Sequence, residues 1–128
     1  MTHERPSFDS YFLGLARSVA LRADCTRRRI GCVLVDADRR VIATGYNGAP
    51  AGEPGCLSSG ACPRGQLSYD EVPKDSNYDN CISIHAEANA LLYARASVKG
   101  ATAYITDKPC PSCAKLLRGA GIERIVYP

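Results

Sequence analysis

Hydrophobic positions along the first third of the chain recur at the period of a helix and then at the period of strands. Phe8, Tyr11, Phe12, Leu15, Val19 and Ala20 keep helical spacing over Phe8 to Arg22, behind Pro6 and an N-cap candidate in Ser7. Ile30 to Val35 is a short apolar run, Asp36 to Arg40 is polar, and Val41 to Tyr46 resumes, which predicts a strand, a tight loop and an antiparallel partner. Cys32 lies inside the first of these strands and reads as core. From Asn47 to Ser83 the pattern dissolves into Gly, Pro, Ser, Asn and Asp. A stretch of that length inside a small domain is uncommon unless it is functional, disordered or pinned. Regular spacing returns in a helix from about Ile84 to Ala96, with Ala88, Leu91 and Leu92 as its apolar face. A strand over Thr102 to Thr106, a helix over Pro111 to Ala120 ended by Gly121, and a last strand over Arg124 to Tyr127 complete the series. The alternation predicts an α/β layer fold, with an antiparallel hairpin on one side of a mixed sheet and parallel strands on the other.

Composition narrows this picture. With 128 residues, 45% of them hydrophobic, the chain reads as one domain over residues 1–128 with a long loop at 47–83. Met1 to Ser10 is polar and the longest apolar run is far too short to span a bilayer, so a soluble, cytoplasmic protein with no membrane partner is expected. A formal charge of +3 gives no strong nucleic-acid signal. Arg27, Arg28 and Arg29 form a local basic cluster, which is either a solvated turn or a phosphate contact. Seven cysteines without an export signal are better explained by metal than by disulfides, since cytosolic thiols stay reduced. His3 stands alone near the N-terminus and carries no predicted role.

The chemistry concentrates at two predicted helix starts. His85-Ala86-Glu87 opens one helix and Pro109-Cys110-Pro111-Ser112-Cys113 opens the next. Pro111 suits the first helical position, which makes Cys110 the cap and puts Cys113 one turn further on the same side. The positive end of the helix macrodipole would lower the thiol pKa values and favour the ligand form. His85, Cys110 and Cys113 are then three zinc ligands with a fourth position left for water, as in a catalytic rather than a closed structural site. Glu87 is two residues from His85, a spacing that separates side chains within a helix. The two converge only if His85 sits at the ragged first turn. A lone Cys-x-x-Cys or His-x-Glu is weak, but the pair, each at a helix start in an α/β domain, is the pattern of zinc deaminases acting on nucleobases.

On these residues the chain resembles the cytidine and deoxycytidylate deaminase superfamily, and within it the deoxycytidylate deaminase branch. The resemblance is carried by Cys25 to Val35, by Gly-Tyr-Asn-Gly-Ala-Pro at Gly45 to Pro50, by His85 to Leu92 and by Pro109 to Lys115. It implies a three-layer αβα cytidine-deaminase-like fold and a hydrolase acting on a cyclic amidine C–N bond, converting dCMP to dUMP with release of ammonia. It also implies Zn2+ as cofactor, a small-molecule nucleotide as partner and a homo-oligomer. Glu87 would move the protons, while Asn47, Arg27, Arg28, Arg29, Ala86 and Tyr104 fall at positions associated with substrate, Tyr104 having ordinary strand packing as its other reading. The cysteines outside the catalytic set and the core, namely Cys25, Cys56, Cys62 and Cys81, number the four that a structural zinc needs, and some relatives carry a second zinc in this region. Rival readings keep the machinery but change the substrate to a nucleoside, free base, antibiotic precursor or single-stranded DNA. A competence-type accessory protein that binds zinc without physiological turnover is the rival from outside the enzyme class.

Overall fold

The computed structural model describes residues 4–25, 28–55 and 83–128. In chain order it contains α1 (Phe8–Ala20), β1 (Gly31–Val35), β2 (Val41–Tyr46), α2 (Ala86–Leu92), β3 (Thr102–Ile105), α3 (Pro111–Gly119) and β4 (Arg124–Val126). The sheet runs β2-β1-β3-β4. β1 is antiparallel to both β2 and β3, whereas β3 and β4 are parallel, so the expected mixed sheet is present. Ser7 caps α1 by accepting the Ser10 N–H at 3.1 Å. In the β1–β2 turn, Asp36 Oδ1 accepts the N–H groups of Asp38 and Arg40, both at 2.9 Å, and Arg39 takes the left-handed backbone conformation.

All five residues of β1 are buried, because helices cover both faces of the central strand. On one face α1 packs Phe12 and Ala16 against Val33, Val35 and Tyr104. On the other, Ala86 and Ala90 of α2 and Leu117 of α3 meet Cys32, Leu34, Ala103 and Ile105. Cys32 is fully buried, as its position in the apolar run implies.

The helix expected over 84–96 is shorter and turned relative to the pattern of its large residues. Its buried positions are Ala86, Glu87 and Ala90, and Leu92 is 66% exposed, while Leu91 packs only partly against the core. The reason lies on β2, where a Cβ on Gly45 would stand 2.2 Å from the Ala86 carbonyl oxygen and 2.4 Å from the Ala90 nitrogen. So close an approach of helix to strand admits only alanines between them, and the leucines are displaced from the contact. After Tyr93 the chain turns back toward β3, with the Ala101 N–H bonded to the Val98 carbonyl, instead of continuing as a helix to residue 96.

Candidate metal centre

The two helix starts converge on the α2/α3 side of the sheet. Gly48 and Ile84 exchange backbone hydrogen bonds of 3.1 and 2.7 Å, and the Asn89 side chain donates to the Tyr46 carbonyl at 2.9 Å, so the end of β2 fixes where α2 begins. His85 is consequently the N-cap of α2 with an extended backbone, φ −64° and ψ 152°, and its imidazole leaves the helix instead of joining its surface. That is the ragged first turn which the His-x-Glu spacing required. Cys110 is the N-cap of α3, with Pro111 following it inside the helix and its sulfur accepting the Cys113 N–H at 3.5 Å.

Among the described residues, His85, Cys110 and Cys113 form a group whose donor atoms all lie within 4.8 Å of one another. His85 Nδ1 is 3.2 Å from Cys113 Sγ and 3.6 Å from Cys110 Sγ. A tetrahedral zinc with ordinary bond lengths separates a nitrogen and a sulfur ligand by about 3.6 Å, so the spacing suits that ion. Glu87 lies outside the donor group and is 4% exposed.

The electrostatics make the same demand for a cation. Burial pushes the Cys113 thiol up, and the Glu87 carboxylate and then Cys110 push it further. Burial, the neighbouring carboxylate and the second sulfur thus act on Cys113 against the lowering expected from the helix dipole. Burial and Glu87 also raise the Cys32 thiol, which stays protonated beneath the site. A divalent cation among two sulfurs and an imidazole reverses the balance, because coordination deprotonates a thiol outright.

The other sequence candidates are distributed as follows. Ala86 is fully buried against the sheet, its carbonyl oxygen standing where a Cβ on Gly45 would meet it. Asn47 is 7% exposed, with Oδ1 accepting the Ile30 N–H and Nδ2 donating to the Arg28 carbonyl, both at 2.8 Å. Arg28 is ion-paired with Asp107, and Arg29 is exposed on the wall of a polar concavity of about 470 Å³ shared with Arg22, Tyr46 and Gly48. Of the two readings of Tyr104, the structure shows strand packing. Its ring lies on the α1 face, 5.1 Å from Phe12, and its hydroxyl donates to Asp9 at 2.9 Å. The alternation of β3 side chains sends Tyr104 to the face opposite its neighbours Ala103 and Ile105, which pack with α2 and α3. Arg27, Cys56, Cys62 and Cys81 lie outside the described residues, whereas Cys25 is buried and its sulfur accepts the Arg28 N–H at 3.5 Å.

Two residues that bind the site's surroundings together carried no motif. Thr106 accepts the Gly31 N–H at 3.1 Å through its hydroxyl, and Asp107 holds Arg28. The usable signal was their place just past the carboxyl end of β3, the edge at which α/β sheets bind ligands.

Comparison with known proteins agrees with this geometry. The model of the cytidine and deoxycytidylate deaminase zinc-binding region matches residues 6–128. The chain is 52% identical over 129 residues to the deoxycytidylate deaminase of Mycobacterium phage D29, a match covering 97% of this chain and 96% of that protein. It is 45% identical over 125 residues to the deoxycytidylate deaminase of Schizosaccharomyces pombe, covering 96% of this chain but 37% of the yeast protein. The dCMP deaminase of cyanophage S-TIM5, solved in complex with dCMP and dUMP, superposes with a TM-score of 0.72 at 25% identity, covering 98% of this chain and 83% of that one.

Proposed function

The chain belongs to the cytidine and deoxycytidylate deaminase zinc-binding family, and from that premise we propose that it deaminates dCMP hydrolytically to dUMP and ammonia. The carrying observation is the meeting of His85, Cys110 and Cys113 at two helix starts, with the buried carboxylate of Glu87 beside Cys113.

His85, Cys110 and Cys113 would hold the zinc, which when bound supplies Lewis-acid activation of water. Glu87 takes one proton from the attacking water and delivers it to the ring nitrogen, then takes the remaining proton of the added hydroxyl as the carbonyl forms and passes it to the amino group, which leaves as ammonia. Its burial suits that role, since a carboxylate shielded from bulk water exchanges protons with the substrate and not with solvent. The basic segment carrying Arg28 and Arg29 takes the substrate phosphate. Arg28 is paired with Asp107 across a solvent-exposed ion pair and Arg29 beside it is exposed, so either guanidinium can meet the phosphate in this reading.

Cys25, Cys56, Cys62 and Cys81 hold a second, structural zinc in this reading. Two observations support it from the described side. Cys25 Sγ accepts the N–H three residues on, the same arrangement that holds Cys110, and the Asp24 carboxylate accepts the Gly55 N–H at 3.2 Å, tying the neighbour of Cys25 to the residue before Cys56. Metal analysis of purified protein should give two zinc per chain, and one zinc would remove the second site.

The deciding experiment is ammonia release from dCMP, CMP, dCTP, deoxycytidine, cytosine, guanine and a cytosine-bearing oligonucleotide. Turnover of dCMP above every other member is expected. No ammonia from any of them, with zinc bound, overturns the reading.

A further inference from the structure

We infer that Asn89 is a positioning residue for His85, fixing the backbone on both sides of that ligand and so presetting where its imidazole stands. The inference rests on the proposed reading of His85, Cys110 and Cys113 as zinc ligands and adds how the first of the two helix starts is held.

The two caps are secured by different means. Cys110 secures its own helix, because its sulfur accepts the Cys113 N–H and Pro111 fixes the first helical φ. His85 does neither: its side chain makes no capping hydrogen bond, and Ala86 follows it instead of a proline. An imidazole that leaves the helix for a metal cannot also cap it. Asn89, one turn on, takes over that task. Its backbone N–H donates to the His85 carbonyl at 2.9 Å, while its side-chain nitrogen donates to the Tyr46 carbonyl at 2.9 Å and, more weakly, to the Ile84 carbonyl at 3.4 Å. The peptide groups before and after His85 are therefore both held by one residue, and those two planes define φ and ψ of the ligand. The Ile84 carbonyl also accepts the Gly48 N–H at 3.1 Å, which anchors the same network to the chain just past β2. Asparagine is a poor helix former, and here it stands inside a seven-residue helix otherwise made of alanine, glutamate and leucine. Two amide N–H groups matched to two carbonyls account for its presence.

The test is the zinc affinity of the folded protein, measured by competition with a chromophoric chelator on wild type, Asn89→Ala and Gly31→Ala, with urea unfolding of each. Gly31→Ala is the control, since it disturbs α1 on the far face of the sheet. The signal of this site is the part missing from Cys110→Ala/Cys113→Ala protein. Asn89→Ala is expected to weaken zinc binding there about 10- to 100-fold, the usual cost of removing a group that orients a ligand. It should also shift the visible absorption of the cobalt-loaded protein, which reports ligand geometry. Gly31→Ala should lose stability and keep its zinc affinity. Zinc affinity within about twofold of wild type in folded Asn89→Ala protein would overturn the inference. Equal weakening in Gly31→Ala would overturn it too, by tracing the effect to stability alone. Should Asn89→Ala not fold, Asn89→Ser, whose hydroxyl is too short to span both carbonyls, is held to the same outcomes. A wild-type protein that binds zinc at this site yet releases no ammonia from dCMP is a separate failure, that of the proposed substrate.

Discussion

The two faces of the sheet use one packing device and put it to different ends. On each, a strand glycine lies against an alanine-rich helix: a Cβ on Gly31 would meet the Ala16 carbonyl oxygen at 2.0 Å, and one on Gly45 would meet that of Ala86 at 2.2 Å. Beneath α1 the polar groups answer one another, since Asp9 receives both Arg124 nitrogens at 2.9 and 2.6 Å together with the Tyr104 hydroxyl. Beneath α2 and α3 two thiols and a buried carboxylate crowd together, which pushes the Cys113 thiol up. A face satisfied from within is architecture, and a face left in electrostatic debt is where an outside ion and its chemistry enter.

The largest effect should come from the unsatisfied face. Glu87→Gln should retain the zinc content of wild type and lose at least about a thousandfold in kcat, as removal of a general acid and base does. Near-wild-type turnover in that variant would show that the carboxylate is only structural. The glycines separate the faces more finely. Gly45→Ala and Gly31→Ala should each destabilise the protein by about 1–3 kcal/mol in urea unfolding, the usual cost of overpacking. Only Gly45→Ala should also lower kcat and zinc affinity, because it displaces the helix that begins at His85. Equal losses of kcat in both variants would erase the functional distinction between the faces.

Tyr104→Phe removes a hydroxyl that serves Asp9 and its partner Arg124 on the α1 face, and should lower stability by about 1 kcal/mol while leaving kcat and KM for dCMP unchanged. A tenfold rise in KM would return Tyr104 to the pocket. The smallest effect belongs to Asp9, whose carboxyl is held below its ordinary value by the Arg124 hydrogen bond and then by that of Tyr104. A carboxyl depressed on folding stabilises the protein above its unfolded value, near pH 4, and that contribution is lost as pH falls through the folded value. Asp9→Asn should therefore be less stable than wild type at neutral pH and converge with it in acid. The pair is exposed to solvent, so the difference should stay under about 1 kcal/mol and shrink with salt.

What could be read from the sequence followed from how local each signal was. Pro111 after Cys110 and the polar stretch before Val41 specify a cap and a turn through neighbouring residues alone, and both stand as expected. The buried face of α2 could not be read that way. Ala88, Leu91 and Leu92 are its natural apolar stripe, and only the approach of Gly45, from an element forty residues earlier, brings Ala86 and Ala90 inward. Tyr104 kept two readings for a related reason, since a strand's alternation tells which residues share a face but not which face holds the metal. The Asn47 amide was visible as a candidate, whereas its attachment to the backbone of Arg28 and Ile30 is a tertiary fact with no signature in spacing.

His85 and Cys110 are both caps, and the metal therefore depends on where two helices start and hardly at all on how far they run. In engineering terms the far ends of these elements are free terminals. The segment past Leu92 leads away from the ligands, and Tyr93 there is 60% exposed. Insertions or randomised sequence between Tyr93 and Ser97 should be accepted with the ligand set intact, which makes that segment the natural place to graft a reporter or a tether onto a working centre.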